Sequence, residues 1–236
     1  EIADRLEPYE VVVAIRERTP ITRSLIERLP NLKHVVTPGM RNAAIDIPFC
    51  AERGITVCGT NPGRPATAEL AWLLILALTK QLIPEENGVR NGRWGVGMGM
   101  GLGGRTLGLL GLGTLGAKVA QVARVFDMNI LAWSQNLTDE RAEECGARRV
   151  ELDQLLIESD VVSVHLVLGP RSKGLIGERE LALMKPGSYL VNTSRGPIVD
   201  EGALISALSE RRIGGAGLDV FDVEPLPLDH PFRSLD

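Results

Sequence analysis

The chain is short of cysteine, of single-sign charge and of long apolar runs, and each shortage removes a class of function. Its three cysteines, Cys50, Cys58 and Cys145, are odd in number and lack C-x-x-C spacing, which argues against a disulfide framework and against a zinc site. They read as buried thiols in a reducing compartment. Its 26 basic and 30 acidic residues form no long block of one sign, so no electrostatic footprint for nucleic acid or for a membrane surface is present. The longest apolar run, "LAWLLILAL" from Leu70 to Leu78, is about half of what spans a bilayer, and no signal-peptide pattern opens the chain. A cytoplasmic protein with a small-molecule partner is the expectation. The chain opens at Glu1 without a methionine and reaches an apolar strand almost at once, which points to sequence upstream.

What the sequence does have is alternation. Short β-branched runs ("VVVAI" at Val11, "HVV" at His34, "ITVCG" at Ile55, "TLGLLG" at Thr106, "NILAW" at Asn129, "DVVSVHL" at Asp160, "SYLVNTS" at Ser188, "GAGLDVF" at Gly215) are separated by helical patterns. Strands this apolar leave no wet face, so the class is α/β, with parallel sheets covered by helices on both sides. Gly and Pro cluster in "NPGRPATAE", Asn61 to Glu69, and mark a domain boundary. There Thr67 is placed to cap a helix running from Ala68 to about Gln81, apolar on most of its circumference and suited to a place between two bodies. "NGRWGVGMGMGLGGR", Asn91 to Arg105, has neither helical nor strand period; it is a mobile loop or an arm ordered by a partner subunit, and composition favours the loop.

The chemistry begins at "RTLGLLGLGTLGAKVAQVARVF", a strand, then Gly111, Gly113 and Gly116 in G-x-G-x-x-G spacing, then a helix. A lone glycine triplet also fits a structural βα turn, but the flanking strand and helix supply the context of a dinucleotide site. Gly111 allows the tight turn, Gly113 lets the backbone approach a pyrophosphate, and Gly116 lets helix and strand pack closely. At the end of the next strand, where an acid usually holds the adenosine ribose, stand Ser134, Gln135 and Asn136. No carboxylate there repels a 2′-phosphate and no adjacent Arg attracts one, so NAD and NADP both remain open. Other polar residues fall at strand ends, where an open parallel sheet binds its ligand: His165, Arg195, Asp219 and Glu224. Arg195 lies between an apolar strand and a helix opened by Pro197 and Asp200, aimed to grip a carboxylate by two hydrogen bonds.

Taken in order and spacing, "GLLGLGTLG", "ALMKPGSYLVNTSRGPIVDE" and "GAGLDVFDVEPLP", with "TPGMRNAAIDIPFCAERGITVCGT" before them, resemble the D-isomer-specific 2-hydroxyacid dehydrogenases, a family that includes phosphoglycerate, glyoxylate/hydroxypyruvate and formate dehydrogenases. The resemblance implies two Rossmann-like doubly wound domains with a cleft between them: an incomplete, flavodoxin-like substrate domain over 1–62 and a dinucleotide-binding domain over 63–236. It implies an oxidoreductase moving hydride between NAD, or NADP, and a small 2-oxo or D-2-hydroxy acid, in a homodimer built by the cofactor domains. Arg195 would bind the substrate carboxylate and keto oxygen, and Glu224 would pair with a catalytic histidine. Thr114 and Leu115 would face the pyrophosphate, Ser134 the ribose, Leu166 the nicotinamide half, and Asp219 the carboxamide. Thr193 would lie beside Arg195. The backbone of Gly39 and Met40 would face the substrate. The family's histidine lies in a "TPH" segment beyond His230, and the chain ends at Asp236 before one, so the expectation is an incomplete enzyme or an inactive variant. His230 then reads as a loop or cap residue, and His165 as a cofactor-side residue. A competing expectation is a nucleotide-sensing module of the corepressor kind.

Overall fold

The computed structural model describes residues 2–39, 42–60 and 66–235. The chain divides into two compact units, Glu1–Pro65 and Ala66–Asp236. The boundary expected between 62 and 63 falls within 61–65, outside the described residues.

In the first unit, strands β1 (Val11–Val13), β2 (His34–Thr37) and β3 (Thr56–Gly59) form a parallel sheet in that order. The crossover between β2 and β3 carries a helix, Ile47–Glu52, started by Asp46, whose carboxylate accepts from the Phe49 N–H at 3.1 Å. Ile21, Ile26, Leu29, Val35 and Cys50 form its core. The expectation that every strand is covered on both sides fails at β1. Val11 and Val13, which share one face of this edge strand, are 54% and 60% exposed, so that face is not covered by the described residues.

In the second unit six parallel strands follow, β4 (Thr106–Leu110), β5 (Asn129–Trp133), β6 (Arg148–Arg149), β7 (Val161–Val164), β8 (Tyr189–Asn192) and β9 (Gly215–Leu218), in the order β6-β5-β4-β7-β8-β9. This is the doubly wound order 3-2-1-4-5-6, and its direction reverses between β4 and β7. Every residue of β7 and β8 is buried, as central strands require. Alternate residues serve two cores. Leu107, Leu109, Val161 and Val191 pack beneath the helices Ala66–Thr79 and Thr114–Val125. Leu110, Val162, Val164 and Leu190 pack against residues of the helices Leu152–Glu158, Glu178–Leu183 and Glu201–Ser209.

The first of these helices differs from its expected bounds. It runs from Ala66 to Thr79, which puts Thr67 inside its first turn and not at its cap. At its far end the Thr79 hydroxyl bonds back to the Ile75 carbonyl at 2.7 Å, and Gln81 turns left-handed with φ of 55° before a second helix, Leu82–Arg90. Trp72 joins it to the helix Thr114–Val125 by donating to the Val119 carbonyl at 3.2 Å. The glycine-rich stretch after it has no regular structure but is docked on this pair: Gly97 N–H donates to Glu85 at 2.7 Å, Met100 N–H to the Thr79 carbonyl at 2.6 Å, and Lys80 to the Met100 carbonyl at 2.8 Å. Among the described residues no single helix is long and apolar enough to cross a membrane.

Candidate functional site

The crevice at the carboxyl ends of β4 and β7 is where a doubly wound sheet takes its ligand, and the glycines set its shape. Gly111 leaves β4 with φ of +101°, and a Cβ there would lie 2.6 Å from the His165 carbonyl oxygen just past β7. A side chain at this position would push the two central loops apart. Gly116 is equally constrained, since a Cβ would meet the Gly111 carbonyl oxygen at 2.1 Å. At Gly113 the surroundings are the opposite: nothing lies within 4 Å. Gly113 caps the helix Thr114–Val125 without a side-chain hydrogen bond, so the N–H groups of Thr114, Leu115 and Gly116 are not capped by a side chain at the positive end of a helix dipole. Gly113 and Thr114 are exposed and Leu115 half-buried.

Beyond β7, the His165 ring shares a hydrogen bond with Ser163 at 2.9 Å, and burial pushes its pKa down to about 4. It is therefore neutral near pH 7 and already engaged, which makes it a poor proton donor. Leu166 follows, half-buried, and its carbonyl accepts from the Ser194 hydroxyl. That bond ties the loop after β7 to the loop after β8.

The β8 loop is organised by Asn192, a buried residue that sequence reasoning did not single out. Its Nδ2 donates to the Arg195 carbonyl at 2.9 Å, and its Oδ1 accepts from the Ser194 N–H at 3.0 Å. Its own carbonyl accepts from Asp219 N–H at 3.1 Å, joining the end of β9. Its signal was available as an Asn closing an apolar strand, where a side-chain amide competes for backbone partners. Arg195 is half-buried, with Nη1 donating to the Ser194 carbonyl at 2.8 Å. Gly196 is forced by contact, because a Cβ would lie 2.2 Å from the Phe221 carbonyl carbon. The β8 and β9 loops thus meet directly, bringing the Arg195 and Glu224 segments to one end of the sheet. Glu224 is half-buried and accepts from Phe221 N–H at 3.3 Å. Between them, burial first and then Glu201 and Asp200 push the Asp222 carboxyl up.

His230 does not pair with Glu224. Its Nε2 engages Glu201 at 3.0 Å, and its Nδ1 accepts from the Phe232 N–H at 3.3 Å, capping the short 3-10 turn Pro231–Arg233. In the first unit, Gly39 follows β2 with φ of +87°, and its N–H goes to the Thr60 hydroxyl at 3.2 Å. That donor is occupied within the unit. Met40 lies outside the described residues.

A dinucleotide fits what is present. The bare backbone at Gly113 leaves room for a pyrophosphate. Thr193 Oγ1, just past β8, is buried and among the described residues has no hydrogen-bond partner, as a group awaiting a ligand would be. Ser134 directly follows β5, half-buried, where the adenosine ribose belongs.

Residues 72–236 match the family described as D-isomer specific 2-hydroxyacid dehydrogenase, NAD binding domain. The chain is 43% identical over 224 residues to the glyoxylate reductase of Thermococcus litoralis, covering 90% of this chain and 67% of that protein. A solved phosphoglycerate oxidoreductase from Vibrio cholerae superposes with a TM-score of 0.90 at 39% identity, covering 99% of this chain and 76% of that one. The D-lactate dehydrogenase of Aquifex aeolicus, solved with NAD and lactic acid, gives 0.81 at 31% identity, covering 93% of this chain and 67% of that one.

Proposed function

The chain belongs to the D-isomer specific 2-hydroxyacid dehydrogenase family, and on that premise we propose that it acts as an NAD-dependent oxidoreductase interconverting a small 2-oxo acid and its D-2-hydroxy acid. The observation that carries this reading is the glycine turn Gly111–Gly116 at the point where the strand order reverses, with Arg195 at the end of the next strand but one. When bound, the nicotinamide supplies or accepts the hydride at the second carbon of the acid.

This chain's own residues divide the remaining work. The N–H groups of Thr114 and Leu115 hold the pyrophosphate, Ser134 the ribose, and Leu166, Thr193 and Asp219 the nicotinamide half. Arg195 grips the substrate carboxylate and polarises its keto oxygen, and the Asn192 clamp fixes its backbone. Glu224 favours the protonated form of the histidine that delivers a proton to the nascent alkoxide.

We further propose a homodimer joined through the second unit. Trp94 and Met98 are 92% and 95% exposed on a stretch hydrogen-bonded to two helices, a fit with a surface a second copy would cover. All three cysteines are free thiols, which supports a cytoplasmic setting. The test is reduction of glyoxylate and hydroxypyruvate by the full-length protein, followed by loss of NADH absorbance and by chiral analysis of the product. D-2-hydroxy acid is the expected product. A folded protein that binds NADH yet reduces no small 2-oxo acid would leave a nucleotide-sensing module in its place.

A further inference from the structure

Glu201 holds both flanks of the segment that carries Glu224. It opens the helix Glu201–Ser209, on the stretch of chain that leaves Arg195. Its Oε2 accepts from the Asp222 N–H at 3.4 Å, just before Glu224, and its Oε1 meets His230 Nε2 at 3.0 Å, beyond it. The Nδ1 of the same ring accepts from the Phe232 N–H at 3.3 Å, so Nδ1 carries no proton and Nε2–H is the donor to Glu201. The His230 and Glu201 side chains are only 13% and 23% exposed, a setting in which water replaces such a bond poorly.

Polar contacts do more than apolar burial to fix this segment. Val223 and Leu228, on either side of Glu224, are 60% and 91% exposed. Arg233 folds the far part of the loop on itself, donating from Nε to the Pro227 carbonyl and from Nη2 to the Leu226 carbonyl, both at 2.8 Å. Phe232 packs against the core around Leu110 and Leu190, with its ring 6.2 Å from that of Phe221. Phe221 in turn lies on Gly196, next to Arg195. The Glu224 segment is thus a closed loop, and the Glu201 carboxylate ties each of its flanks to the chain that carries Arg195.

On the oxidoreductase reading given above, we propose that Glu201 and His230 are positioning residues, a brace that holds the Glu224 carboxylate in place relative to Arg195. His230 acts without touching substrate, its Nε2 proton being committed to Glu201. The brace serves substrate and proton delivery. The glycine turn after β4, across β7 and β8 from it, is left as it is.

The test is reduction of glyoxylate and hydroxypyruvate by the full-length protein and by His230→Ala, His230→Gln, Glu201→Gln and Glu224→Gln. Reduction needs the proton-delivering histidine charged, so kcat/KM falls as pH rises past its pKa, and a displaced Glu224 moves that fall to lower pH. His230→Ala should lower kcat/KM about tenfold and move the fall about one pH unit toward acid. NADH affinity should stay within about twofold. His230→Gln keeps an Nε2 donor for Glu201 and should recover most of both losses. Glu201→Gln offers one acceptor where two donors need one each; it should behave as His230→Ala does, and it decides the matter if His230→Ala does not fold. Adding His230→Ala to Glu224→Gln should shift the profile no further than Glu224→Gln alone. A wild-type pH profile in His230→Ala or Glu201→Gln, with only a lower melting temperature, overturns the positioning role and leaves the oxidoreductase reading standing. A wild type that binds NADH and reduces neither acid fails that reading and takes the positioning role with it.

Discussion

A Cβ on Gly116 would stand 2.1 Å from the carbonyl oxygen of Gly111, so the first turn of the helix Thr114–Val125 rests directly on the turn that leaves β4. Gly116→Ala must push helix and strand apart, and the expected loss is about 1–3 kcal/mol of stability by urea unfolding. Gly113→Ala meets nothing within 4 Å and has an ordinary negative φ. Its cost is limited to a poorer helix cap, about 1 kcal/mol or less. Equal losses at the two positions would contradict the close packing assigned to Gly116.

His165 makes stability depend on acid. Its folded pKa of about 4 lies below the unfolded value of 6.5. Between these values the unfolded chain carries a proton that the native chain refuses, so the contribution is complete above pH 6.5 and is lost as pH falls toward 4. The full span corresponds to at most about 3 kcal/mol. His165→Gln removes the titration, and the difference in urea midpoint between pH 7 and pH 4.5 should shrink relative to wild type. An unchanged difference would place the acid sensitivity elsewhere.

Arg195→Lys, in the full-length protein, keeps the charge but loses the planar fork. Turnover and KM for the 2-oxo acid should both deteriorate while NADH affinity holds. Steady-state kinetics alongside NADH titration separate the two, and wild-type kinetics in the variant would make Arg195 structural only.

Ser134→Asp places a carboxylate at the ribose end of the crevice, beside the Gln135–Arg171 junction. NADPH affinity should fall by about tenfold, from repulsion of the 2′-phosphate, with NADH little changed. Intact NADPH affinity in this variant would show that residue 134 does not face the ribose.

Much of this was legible because burial leaves a mark on sequence. β4, β5, β7 and β8 read as apolar runs, being covered on both faces, and the glycines of 111–116 could be assigned from the strand and helix around them. β6 could not be read: it is two residues long, Arg148 and Arg149, both exposed at the sheet edge. The helix Leu82–Arg90 was hidden by a polar sequence containing Pro84 and by a left-handed Gln81 that ends the preceding helix early. The role of Asn192 was hidden for another reason. It arises from loops that meet only once the sheet is assembled, as Asn192 meets Asp219 and Gln135 meets Arg171. Period and propensity carry no trace of such contacts. His230 and Glu224, neighbours in sequence, are separated in use by the Glu201 partner that His230 finds across the fold.

The most direct measurement of the central claim is calorimetric titration of NADH into this chain and into Gly113→Val. The substitution enters open space, so the variant should melt at nearly the wild-type temperature while its side chain occupies the place of the pyrophosphate. The prediction is saturable NADH binding at one site per wild-type chain and none detectable in the folded variant. Equal NADH affinity in the two proteins would contradict the placement of the dinucleotide on the glycine turn.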